Sequence, residues 1–76
     1  MWYQKENKLT REFAFNNFVE ALEFVNTISG IAERVGHHPE IWFTWGRVII
    51  TTTTHDEGNI ITEKDWNLTR LIDELV

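Results

Sequence analysis

The sequence predicts an α+β domain: a four-stranded antiparallel sheet with two helices on one face, in the order β-β-α-β-β-α. Three observations predict it. Apolar and aromatic residues alternate near the N-terminus and again beyond Pro39; they recur at helical spacing after Asn17 and again after Thr62; and two short polar or glycine-containing breaks, around Lys5 to Lys8 and at Gly46, divide the alternating runs into hairpins.

The first hairpin begins with a short aromatic strand from Trp2. After the polar turn, Leu9, Arg11, Phe13 and Phe15 share one side of a second strand, with Arg11 an imperfection in an otherwise apolar face. Asn17 followed by Glu20 three residues later is an N-cap signature, so a helix starts there. Phe18, Ala21, Leu22, Val25, Ala32 and Val35 form one apolar row of that helix. Phe24, Ile28, Ile31 and Val35 form a second, a face wide enough to meet a sheet and another element. Gly36 ends it. A turn at His38 and Pro39 leads into IWFT, a bend at WGR and the long strand RVIITTTTH, rich in β-branched residues. There Val48, Ile50, Thr52 and Thr54 point one way and Ile49, Thr51, Thr53 and His55 the other. DEGNI reads as a loop; Thr62 with Asp65 caps a final helix, whose buried stripe is Leu68, Leu71, Ile72 and Leu75.

At 76 residues the chain is read as one domain over residues 1–76, with no linker or repeat. An apolar share of 42%, including four tryptophans and five phenylalanines, exceeds what so small an interior holds, so a homo-oligomer is expected. With no cysteine there is neither a disulfide nor a thiolate metal site. No apolar run reaches the length of a membrane span and no signal-peptide pattern opens the chain, so a soluble, unprocessed, cytoplasmic protein without a membrane partner is expected. The net charge is −5 and the seven basic residues are scattered, which argues against nucleic-acid binding.

The candidate chemistry lies in GHHPEIWFTWGRVIITTTTH, Gly36 to His55, which holds all three histidines of the chain. A hairpin between them can return His55 to the neighbourhood of His37 and His38. Pro39 holds His38 extended, so the two adjacent rings should diverge. Glu33, four residues before His37, can reach that ring or a bound ligand if the last helical turn persists. Imidazoles titrate near neutrality, and two of them flanking a substrate can take a proton from one atom and give one to a leaving oxygen, which suits addition or elimination of water. Each residue also has a plainer reading: the histidines as capping or surface groups, Glu33 as a solvated helix residue, Asp56 and Glu57 as turn residues, and Asp65 as a favourable charge at a helix start. Three histidines can bind zinc, but this spacing is not that of a metalloprotease, so no metal is expected. Ser29 lies inside the predicted helix and the four glycines are isolated, which leaves no nucleophile elbow and no phosphate loop.

Through REFAFNNFVEALEFV, Glu33, GHHPE, RVIITTTTH and EKDWNLTRLIDEL, the sequence resembles the pterin-4a-carbinolamine dehydratases, whose animal member is also the dimerisation cofactor of a homeodomain transcription factor. The resemblance covers nearly the whole chain. It implies two β hairpins with helices, here lacking the family's usual N-terminal helix, assembled as homodimers or homotetramers in the cytoplasm. The implied reaction removes water from 4a-hydroxytetrahydropterin to give quinonoid dihydropterin, with no separate cofactor, after an aromatic amino-acid hydroxylase has acted. The resemblance places catalytic histidines at His37, His38 and His55 and substrate contacts at Glu33, His38 and Pro39, with His37 and His55 dividing acid and base work and His38 mainly holding the pterin. Trp42, Phe43 and Trp45 are candidates for an apolar wall, although each has a simple structural role. Ile41 before Trp42, Trp45 and Gly46 in place of a Tyr-Asn pair, and a loop from His55 to Asp65 one residue longer than usual depart from the family pattern. The alternative is a noncatalytic dimerisation or coactivator module that keeps the fold.

Overall fold

The computed structural model describes all residues from Met1 to Val76. Strands β1 (Tyr3–Lys5) and β2 (Lys8–Ala14) are followed by helix α1 (Phe18–Val35), strands β3 (Glu40–Thr44) and β4 (Arg47–Thr52), a 3-10 turn at His55–Glu57, and helix α2 (Glu63–Asp73). The predicted order β-β-α-β-β-α is the observed one.

The sheet runs β1-β2-β4-β3 with every neighbouring pair antiparallel. β2 and β3 are therefore parallel to each other on either side of β4, and two parallel strands need a crossover between them. α1 is that crossover. Glu6 and Asn7 both take positive φ (53° and 63°), which closes the β1–β2 hairpin with a turn whose twist matches the strands. Gly46, at φ 71°, closes the β3–β4 hairpin. A Cβ there would lie 2.9 Å from the Phe15 carbonyl oxygen, so the residue satisfies both a backbone angle and a close approach.

Phe13 of β2, Val48 and Ile50 of β4, Ala21, Phe24, Ile28 and Ile31 of α1, and Leu68 and Ile72 of α2 form one core between the sheet and the helices. Leu9 of β2 is buried as well. Phe24 packs its ring 4.8 Å from Phe13 and 4.9 Å from Phe15. Two expectations change. Leu22 belongs to the exposed side of α1, because the inner face is the row through Ala21, Phe24, Ile28 and Ile31. Leu75, expected in the buried stripe of α2, lies beyond the end of that helix at Asp73 and is exposed. Phe15, one residue past β2, keeps the register of the ladder: its N–H donates to the Gly46 carbonyl across 2.8 Å, and its ring packs on Phe24 beside Phe13.

Arg11, the polar intruder on the inner side of β2, is accommodated at the rim. Its Nη1 donates to Asp73 Oδ1 of α2 at 2.7 Å, its guanidinium lies 4.5 Å from the centre of the Phe13 ring, and Trp2 Nε1 donates to the same carboxylate oxygen at 2.8 Å. That carboxylate ties both ends of the chain together. No helix is long and apolar enough to cross a membrane.

Candidate functional site

The exit of α1 sets the position of two histidines. Asn17 starts the helix by accepting from the Glu20 N–H at 2.9 Å, and Gly36 ends it in the left-handed conformation, φ 69°. The N–H groups of Gly36 and His37 both close back on the Ala32 carbonyl, at 2.9 and 3.2 Å. This reversal sends the two rings in different directions, as Pro39 led one to expect. His37 turns inward, its side chain 12% exposed, while His38 stays at the rim, 60% exposed. Glu33 consequently pairs with His38 Nε2 and not with His37, a correction to the four-residue spacing, because the chain leaves the helical path at Gly36.

β4 delivers the third. The strand ends at Thr52, three residues earlier than the sequence pattern suggests, and His55 begins the 3-10 turn instead of ending the strand. The cause is local: a Thr54–Ile60 bridge and a left-handed Gly58 (φ 88°) fold the DEGNI segment back on itself. His55 Nδ1 meets Asn59 Oδ1 at 2.7 Å within that turn.

Beneath His37 lies Asp65, fully buried. Its Oδ1 accepts from His37 Nε2 (2.7 Å) and Thr52 Oγ1 (2.6 Å), and its Oδ2 from Thr54 Oγ1 (2.7 Å) and the Thr62 N–H (2.9 Å). The last of these belongs to the α2 capping box. The Lys64 N–H donates to Thr62 Oγ1 (3.3 Å), and, since the Thr54 proton is committed to Asp65, Thr62 Oγ1 donates to Thr54 Oγ1 (2.7 Å). Burial alone would raise the Asp65 pKa, but hydrogen bonds from Thr52, His37, the Thr62 backbone and Thr54 outweigh it and hold the carboxyl below its usual range.

These contacts fix the tautomers. A carboxylate only accepts, so His37 and His38 carry hydrogen on Nε2, leaving Nδ1 of each available; His55, facing an amide oxygen, carries hydrogen on Nδ1 and leaves Nε2 available. All three histidines line one concavity of about 150 Å³, together with Gly36, Thr53, Asp56 and Lys64. None of the lining residues is apolar. Larger grooves exist, about 430 Å³ between the C-terminal parts of α1 and α2 and about 330 Å³ beside the β1–β2 hairpin, but neither contains a histidine. No three metal-ligating side chains gather in a metal-binding cluster.

Glu33 reaches the site only through His38, and Pro39 is not part of its lining. Trp42 and Trp45, considered above for an apolar wall, are exposed elsewhere, and Phe43 stacks on Phe18 at 5.4 Å. Asp65 and, in the lining, Lys64, Asp56 and Thr53 are residues that sequence reasoning did not bring to the site. Thr52 at the end of β4 and Thr54 just beyond it continue the inner row of Val48 and Ile50, and hydroxyls continuing a buried apolar row require a buried acceptor. Asp65, three residues after the capping Thr62, is in the right place to be it.

The family description "Pterin 4 alpha carbinolamine dehydratase" matches residues 1–75. A relative from Picosynechococcus sp. that bears the family's name is 42% identical over 74 residues, covering 97% of this chain and 79% of its own. A solved structure described as a transcriptional coactivator/pterin dehydratase from Brucella melitensis superposes with TM-score 0.89 at 33% identity, covering 96% of this chain and 79% of that one. A second, described as a pterin dehydratase-like protein that is a RuBisCO assembly factor in the alpha-carboxysome, has TM-score 0.77 at 25% identity, covering 99% and 86%. The match of sequence over nearly the full length, joined to the same fold, means that this chain belongs to the pterin-4a-carbinolamine dehydratase family.

Proposed function

We propose that the protein dehydrates 4a-hydroxytetrahydropterin to quinonoid dihydropterin, with His37 and His55 as the acid and base and His38, braced by Glu33, holding the ring. The observation that carries this reading is the gathering of three imidazoles around one polar concavity, each with one nitrogen tied to an acceptor and the other available. In the reaction one imidazole takes the N5 proton, the nitrogen lone pair expels the 4a-hydroxyl, and a second, protonated imidazole gives its proton to that oxygen, so that water leaves. Proton exchange with solvent resets the pair, and the open concavity permits it. Pro39 contributes by fixing the backbone of His38. The pterin is the substrate, and elimination needs no further cofactor. Such a substrate is supplied by a hydroxylase that uses tetrahydropterin, which places this protein in cofactor recycling.

The test is the dehydration rate of synthetic 4a-hydroxytetrahydropterin, corrected for the spontaneous reaction. A positioned acid or base contributes about 10²–10⁴-fold, so His37→Ala should lose at least about a hundredfold in kcat. Equal rates for parent and variant would remove the proposed chemistry.

A second reading, a partner-binding module that keeps the fold without the reaction, is favoured by the exposed Trp42, Trp45 and Trp66 and by the assembly-factor description of one structural neighbour. Self-association into dimers or tetramers would cover the same kind of surface, and light scattering reads it directly. A complex with another protein that survives replacement of His37, His38 and His55, combined with absence of dehydration by the parent, would select the second reading.

A further inference from the structure

Lys64 has no role in the helix it belongs to that explains its charge. It lies in the first turn of α2, between the acidic Glu63 and Asp65, where the positive end of the helix dipole disfavours a cation. Its position is nevertheless fixed on both sides: its N–H donates to the capping Thr62 Oγ1, and the next residue is the buried carboxylate that holds His37. The side chain lines the histidine concavity, where it is the one cation that does not depend on imidazole protonation. Its nearest counter-ion is Asp56 Oδ2 at 4.0 Å, and both side chains are largely exposed. An ion pair that long and that wet is weak and readily gives up the ammonium to a ligand.

We infer that Lys64 is a substrate-binding residue whose ammonium takes the ring carbonyl oxygen of the bound pterin, an inference that rests on the proposed dehydration for the identity of the ligand. The alternative oxygen, the 4a-hydroxyl, receives its proton from an imidazole in the proposed reaction, and an ammonium that also assisted its departure would act on kcat and not on KM. The carbonyl oxygen carries partial negative charge in the substrate and in the product alike. A contact that is equally strong before and during the reaction lowers KM and leaves kcat unchanged. The small, wholly polar concavity fits the same picture, because with no apolar lining the ring must be held by directed polar contacts.

The experiment compares Lys64→Met and Lys64→Arg with the parent in two measurements: kcat and KM for dehydration, and the dissociation constant of 7,8-dihydropterin, a stable ligand with the same carbonyl. For Lys64→Met, KM and the dissociation constant should both rise about tenfold, the weight of a partly exposed charge-assisted hydrogen bond, with kcat within twofold of the parent. Lys64→Arg should restore both constants to within about threefold. The thermal midpoint of Lys64→Met should equal or exceed that of the parent, since a cation leaves a helix N-terminus, which separates loss of binding from loss of fold. Parent-like affinity in Lys64→Met, or a fall in kcat with KM preserved, overturns the assignment. A parent that binds 7,8-dihydropterin without dehydrating the carbinolamine removes the proposed reaction while the affinity comparison still decides the role of Lys64. A parent that binds no pterin overturns both.

Discussion

Asp65→Asn isolates what the buried carboxylate does. The replacement has the same shape, but one of its two oxygens becomes an NH₂ group. Thr62 N–H can only donate, so the remaining oxygen must stay on the side of Thr62 and Thr54, at 2.9 and 2.7 Å in the parent. The NH₂ group then faces Thr52 Oγ1 and His37 Nε2, which lie 2.6 and 2.7 Å from Oδ1 in the parent. Both of those must turn from donor to acceptor. For His37 this means the opposite tautomer, with hydrogen on Nδ1, the nitrogen that the carboxylate otherwise keeps available. Four charge-assisted hydrogen bonds become neutral ones, at a cost of roughly 0.5–1 kcal/mol each, or about 2–4 kcal/mol together. In a domain of this size that lowers the melting temperature by about 10–25 °C.

The pH dependence gives the sign. The folded-state pKa of Asp65 is depressed, so the unfolded chain binds its proton first as pH falls, and stability rises with pH through that window. The contribution is fully present above the unfolded value of about 3.9 and is lost as pH falls through the lower folded value. The gap between parent and Asp65→Asn should therefore be widest at neutral pH and shrink below about pH 4. Thermal melts followed by circular dichroism at a series of pH values read the gap, and ¹⁵N shifts of the His37 ring read the tautomer. Coincident melts at neutral pH, or a ring that keeps its hydrogen on Nε2 in the variant, would refute the assignment of Asp65 as the group that orients His37.

Gly46→Ala places a Cβ 2.9 Å from the Phe15 carbonyl oxygen at φ 71°, and a loss of about 1–3 kcal/mol in urea denaturation is expected, with an unchanged m value. Trp2→Phe keeps an aromatic ring beside Phe13 but removes the 2.8 Å bond to Asp73, so about 1 kcal/mol should be lost by the same measurement.

The fold was legible because its signals are local. Alternation in β2 and β4, the helical rows of α1 and α2, and the caps at Asn17, Gly36 and Thr62 each arise within a few residues and all agree with one architecture. Where the reading slipped, the local pattern was insufficient. Leu22 falls on the outer side because a wide apolar face does not reveal which of two rows meets the sheet, and Leu75 leaves the buried stripe because α2 ends at Asp73. The strand-like run before His55 was cut short by the Thr54–Ile60 bridge, which depends on Gly58 adopting an angle that sequence allows without requiring.

The site differs from the fold in that none of its parts is unusual by itself. Asp65 read as a capping residue is a capping residue, and Thr52 and Thr54 read as strand formers do lie on or beside a strand. Their meaning changes only when the end of β4, the start of α2 and the exit of α1 meet, since the carboxylate that closes the α2 capping box is the one that accepts from His37. The start of α2 and the tautomer of His37 are then one structural event. Any change that frays the first turn of that helix releases the carboxylate from Thr62 and so loosens the histidine. This coupling also explains why a cap made with Asp65 is buried when most caps are not: its second partner is a side chain in the concavity, and water at the carboxylate would compete for the proton that fixes the ring.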